Sequence, residues 1–178
     1  MSFIKDFNRA NKDISLFLSE INGLMTKGDR LIEIESSSNP ILNMFDQHSG
    51  VDAIQITKDK QIRGVALRVQ YGNAWDTFTI RYRRSSGAKT EYEKRVEALQ
   101  NEKMYPQLTI QCYLSEDGSK ILSVGIIKTR DLYEQLERNN EKVKKRVAKE
   151  DGNIFKYISF YDLHKILIYK NGIKKYIK

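Results

Sequence analysis

The chain reads as an α+β domain with a mixed central sheet flanked by helices. Three observations predict it. Residues 50–83 alternate apolar and polar side chains through three successive runs, the two-residue period of strands. A helix-start signal follows at Thr90 and Glu93. Two more alternating runs, a charged helical segment and an Asn171–Gly172 hairpin signal complete the order helix, three strands, helix, two strands, helix, strands.

The elements follow from local chemistry. Ile4, Phe7, Ile14, Leu18, Ile21 and Met25 recur at helical spacing and predict an amphipathic helix over residues 3–25, ended by Gly28 and Asp29. Leu31, Ile32 and Ile34 form a short apolar piece, strand or helix. Residues 36–40 read as a loop, and 41–48 as one or two helical turns. Strands are expected at 52–58 and 61–72, joined by a turn at Asp59–Lys60, and at 77–83. The capped helix should run to about Lys103. Strands at 108–114 and 120–127 flank the Asp117–Gly118 hairpin dipeptide. Thr129 reads as the N-cap of a long charged helix over 130–149, and 154–161 as an extended segment.

Composition limits the function classes. At 178 residues the chain is long enough for one domain with a full core. A net charge of +8 favours an anionic partner, nucleic acid first. High Ile, Asn and Lys content with only two prolines resembles AT-rich coding, common in low-GC bacteria and their phages. Cys112 is the only cysteine, so no intrachain disulfide forms, and its alternating context predicts a buried small hydrophobe. No apolar run reaches a membrane span of ~20 residues, and the N-terminus lacks an apolar signal core. These features point to a cytoplasmic setting. His48 and His164 are isolated, which gives no zinc spacing, and no glycine-rich phosphate loop is present.

The candidate site lies on the second and third predicted strands. Residues two apart face the same way, so Ala66, Arg68 and Gln70 share one face of strand two. If strand three pairs antiparallel beside it, Thr79, Arg81 and Arg83 extend that face. Asp52 at the edge of strand one would add a carboxylate, and a hard divalent cation such as Mg²⁺ is held by one or two such ligands plus water. Arg81, Arg83 and Arg84 form a basic cluster suited to phosphate or to protecting a sheet edge. Lys142, Lys144, Lys145, Arg146 and Lys149 form a second basic cluster, suited to phosphate or to a helix C-terminus. Trp75, in the loop between strands two and three, reads as a contact residue or a plug over the core. Asp52 reads equally as a strand-start residue, Arg68 and Gln70 as a solvent face, and Glu20 as a solvated helix charge.

This order of elements, with an Asp near one strand and Arg68-Val69-Gln70 on the next, resembles the PD-(D/E)XK, or restriction-endonuclease-like, superfamily. The resemblance covers residues 3–114 and implies an αβββαβ core, with 129–178 a long helix and hairpin packed on the same domain as 1–128. It implies Asp52 as the metal residue, Gln70 where the water-positioning lysine stands, and Glu20 as the first-helix glutamate, with Glu33 and Glu35 as other candidates. Arg68 takes the place of the acidic metal ligand. Guanidinium has no acceptor, so Arg68 is assigned to phosphate. The implied function is nucleic-acid binding, with Mg²⁺-dependent phosphodiester cleavage of DNA as its catalytic form, in a phage or mobile-element setting. The alternative is a non-catalytic binding or inhibitor module whose partner is nucleic acid or a nucleic-acid-binding host protein.

Overall fold

In the computed structural model, residues 21, 30–34, 49–138, 141–148 and 151–178 are described. They form a mixed α+β architecture of two sheets and two helices. The strands are β1 (Arg30–Glu33), β2 (Ala53–Ile56), β3 (Ile62–Tyr71), β4 (Thr77–Arg83), β5 (Leu108–Leu114), β6 (Ile121–Lys128), β7 (Lys144–Val147), β8 (Ile154–Ser159), β9 (Ile166–Lys170) and β10 (Ile173–Ile177). The helices are α1 (Glu91–Gln100) and α2 (Thr129–Arg138).

A seven-stranded sheet has the order β1-β2-β3-β5-β6-β9-β10, and a three-stranded sheet the order β4-β8-β7. In the large sheet only β3 and β5 run parallel, from Val65↔Leu108 to Tyr71↔Leu114. Parallel neighbours need a long crossover. Here the crossover contains β4 and α1. It starts from the capping box expected in the sequence: Thr90 Oγ1 accepts from Glu93 N at 3.3 Å, and Thr90 N donates to the Glu93 carboxylate at 2.8 Å. The turn at Asp59–Lys60 and the hairpins at Asp117–Gly118 and Asn171–Gly172 also form, with Lys60, Gly118, Asn171 and Gly172 at positive φ.

One face of the large sheet is apolar. Ala53, Val65, Ile110, Cys112, Leu114 and Val124 are buried there, together with Ile21, a helical residue of the N-terminal segment. The other face packs on the small sheet and both helices through Tyr113, Ile127, Ile166 and Ile168, against Phe78, Ile80, Leu132, Leu136, Ile158 and Phe160. Gly125 makes this seam close. A Cβ there would lie 2.6 Å from the Phe160 ring, so the ring lies on the bare backbone of β6.

Two expectations fail for identifiable reasons. Strand β4 spans the expected residues but does not lie beside β3. It pairs antiparallel with β8, from Thr77↔Ser159 to Arg83↔Ile154. The far edge of β3 is taken by β5, and Phe78 and Ile80 need apolar cover that Ile158 and Phe160 supply. The loop turns out of the sheet through positive φ at Gly72 (94°) and Asp76 (49°). Likewise no helix spans 130–149. Helix α2 begins at Thr129 and ends at Arg138, and Lys144–Val147 is a strand on the edge of β8. The helical apolar spacing Leu132, Tyr133, Leu136 is not continued; the next apolar residue in the sequence is Val143. Lys144 and Lys145 are therefore strand residues, not cations at a helix end. The residues beyond 128 contribute strands to both sheets. The predicted helix over 3–25 (Ile21 excepted) and the turns at 41–48 lie outside the described residues.

Candidate functional site

An open groove of about 710 Å³ lies between the polar face of β3 and one face of the small sheet. Alternation builds both walls. On β3, Val65 and Leu67 turn to the apolar core, which leaves Arg68 and Gln70 for the groove. On β4, Phe78 and Ile80 turn to the seam, which leaves Thr77 and Thr79. On β8, Ile158 is buried and Lys156 turns the same way, which leaves Phe155 and Tyr157. Arg146 of β7 pairs with Phe155 and completes the wall. Tyr71 and Trp75 close the end of the groove.

The floor is fixed by hydrogen bonds. The buried Tyr113 hydroxyl of β5 donates to Thr77 O at 2.7 Å and lies 2.9 Å from Thr77 Oγ1, so the first residue of β4 is tied to the large sheet. Burial raises the pKa of Tyr113 and keeps the hydroxyl a donor. Trp75 is 64% exposed, yet its loop is anchored on both sides. Gly72 N donates to Leu114 O at 2.9 Å, Phe160 N donates to Asp76 O at 2.8 Å, and the Asp76 carboxylate pairs with Lys170.

The cations on these walls are held in place. The Arg68 guanidinium lies 5.4 Å from the Phe155 ring centre, and that of Arg81 lies 5.7 Å from the same ring. Arg68 Nη1 is 3.9 Å from a Glu91 carboxylate oxygen at the start of α1. Burial lowers the pKa of Arg68 from its ordinary value, and Glu91 opposes the shift. The other face of the small sheet holds a different cation. Lys156 is buried with its ammonium 4.2 Å and 4.3 Å from the Tyr82 and Tyr92 ring centres. The Tyr92 hydroxyl in turn donates a hydrogen bond to the Glu137 carboxylate of α2. This sandwich ties β4, β8 and both helices together.

The predicted site residues are only partly gathered. Arg68, Gln70 and Thr79 share the groove, across two sheets rather than along one. Arg81 reaches it through Phe155. By register with Tyr157, Lys144 stands on the groove side of β7, whereas Lys145 extends over Tyr82 at 5.3 Å on the opposite side. Arg83 and Arg84 lie past an irregularity in the β4–β8 pairing, at the end of β4. Asp52 is elsewhere. Its carboxylate accepts from Leu67 N at 2.6 Å, just beyond the last β2–β3 ladder pair, Ala53↔Val65, where it takes the place of a missing strand partner. It does not line the groove with Gln70. Glu20 and Glu35 lie outside the described residues, and Glu33 ends β1. Among the described residues no three His, Cys, Asp or Glu side chains gather as a metal ion requires. With Asp52 committed to the backbone and Arg68 without an acceptor, the described residues do not fit Mg²⁺.

Sequence reading placed Arg146 in a basic cluster at a helix end rather than on a strand, and missed Phe155 and Tyr157 as site residues. The signal present was the alternation in Ile154–Ser159, which sets two aromatics on the face opposite Lys156 and Ile158. What it lacked was the partner strand.

Fold and groove together define an α+β protein with an open cleft lined by cations and aromatic rings. In comparisons with family models, curated proteins and solved structures, none matches the chain. Among the described residues no helix is long and apolar enough to cross a membrane.

Proposed function

We propose that the protein binds nucleic acid in this groove and acts there as a binding module rather than as a metal-dependent nuclease. The observation that carries the reading is the mixture on the groove walls. Arg68 and Arg146 offer positive charge, Gln70 and the two threonines offer donors and acceptors, and Trp75 and Tyr157 offer ring faces. Phosphate attracts the first group, sugar and base edges the second, and bases the third. The net charge of +8 adds long-range attraction. The order strand, strand, strand, helix, strand over 53–114 is what favours a restriction-endonuclease-like scaffold, and the departure of β4 to the second sheet counts against it.

The test is oligonucleotide binding measured across a salt series. The expected result is affinity that falls steeply with salt, with a log–log slope that flattens by about 0.7 when Arg146→Ala removes one phosphate contact to a single strand. Absence of retention at physiological salt, or salt-insensitive binding to a protein partner alone, overturns the reading. Divalent-dependent cleavage that is lost in Asp52→Ala would instead restore the phosphodiesterase.

A further inference from the structure

Building on the nucleic-acid reading above, we propose that the groove selects single strands by accepting an unpaired base against Trp75. Three features of the site point there.

The first is the indole itself. A Trp that is 64% exposed on a loop closed at both ends by backbone hydrogen bonds and by the Asp76–Lys170 ion pair is neither a core plug nor a loose side chain. Its ring is presented at the groove mouth in a pre-organised position, which lowers the ordering cost of a contact.

The second is the division of labour among the aromatics. Phe155 is engaged by the two guanidiniums of Arg68 and Arg81, so its role is to orient cations. Among the described residues Trp75 and Tyr157 make no such ring or cation contact, and they remain as stacking faces. Stacking needs a base whose own face is free, which a duplex denies and a single strand supplies.

The third is the placement of polar groups. The Gln70 carboxamide lies inside the groove among rings, where it can donate and accept at once, as the edge of an unpaired base does. A space of about 710 Å³ between two walls fixed by the Tyr113–Thr77 hydrogen bonds suits one or two nucleotides. Arg68 on one wall and Arg146 on the other then meet the phosphates on either side of the stacked base.

Trp75 is the only tryptophan of the chain, so its emission reports this site alone. The protein is titrated with oligouridylate and oligodeoxythymidylate of about twelve nucleotides, within the usual single-strand site range, and with a duplex of equal length. Both single strands should quench the emission and bind about tenfold tighter than the duplex. By anisotropy of a labelled strand, Trp75→Ala should lose about tenfold in single-strand affinity, Trp75→Phe should recover most of it, and duplex binding should not change. Because Trp75 is exposed, its removal should leave the thermal melting curve in place, which separates loss of contact from loss of fold. Equal binding of single strand and duplex, or a Trp75→Ala variant that binds single strands normally, overturns the base-accepting groove while leaving nucleic-acid binding intact. Failure of every oligonucleotide to bind overturns both.

Discussion

The two sheets stabilise their strands by different means. The large sheet buries apolar side chains on both faces at its centre: Ile110, Cys112 and Val124 on one side, Tyr113 and Ile127 on the other. The small sheet buries one face only. It turns Phe78, Ile80 and Ile158 toward the seam and spends the rest of its alternation on Thr79, Tyr157 and Arg146. Its outer strand β7 is exposed at all four positions and depends on β8 for its hydrogen bonds. The difference shows where function can be placed at little cost in stability. A wall that carries its core on a single face leaves the other face free to vary.

The sharpest way to break the contrast is at the seam. Phe160 is fully buried, with its ring 5.0 Å from Phe78 and 6.2 Å from Tyr113, centre to centre. Phe160→Ala should cost about 3–5 kcal/mol in chemical denaturation. Gly125→Ala should also destabilise through its contact with the same ring, and the double variant should lose less than the sum, because removing the ring removes the clash. Additive losses would mean that the sheets meet elsewhere.

A smaller effect tests the crossover between the sheets. Thr90→Ala removes both the side-chain acceptor for Glu93 N and the reciprocal geometry of the capping box, and should cost about 1 kcal/mol in the same assay. Weaker still is the electrostatic tuning of the groove. Glu91→Gln removes the carboxylate opposite Arg68, and single-strand affinity at low salt should rise about twofold, fading at high salt.

The smallest effect lies at the turn between β5 and β6. Hydrogen bonds from Ser115 and Ser119 hold the Asp117 carboxyl down to about 2, from an ordinary value of 3.8. A depressed carboxylate stabilises the fold above its unfolded value, and that contribution is lost as pH falls from about 4 through 2. Carboxyl chemical shifts should show Asp117 titrating near 2, and the β5–β6 turn should loosen over the same window. A midpoint near 3.8 would show that the turn is not held this way.

Local signals were legible and distant pairings were not. The β2–β3 hairpin, the limits of β4, the capping box and the turns at Asp117–Gly118 and Asn171–Gly172 all depend on residues a few positions apart. The partner of β4 depends on residues 154–159, more than seventy positions along the chain, and alternation specifies faces, not neighbours. β7 was illegible for another reason. Lys144-Lys145-Arg146-Val147 has almost no apolar content, and its extended form comes from the open edge of β8. The Arg68 and Gln70 face was correctly read as polar and shared. Asp52 was read for its chemistry, but its carboxylate is spent on Leu67 N, a use that only the strand register reveals.

The pairing of β4 with β8 has a consequence for the protein during synthesis. A growing chain can complete β3, β4, α1 and β5 while one wall of the cleft is still inside the ribosome. Until residues 154–159 emerge, β4 presents Phe78 and Ile80 to water beside an open hydrogen-bonding edge. The edge of β4 and its apolar face therefore stay uncovered until β8 is made.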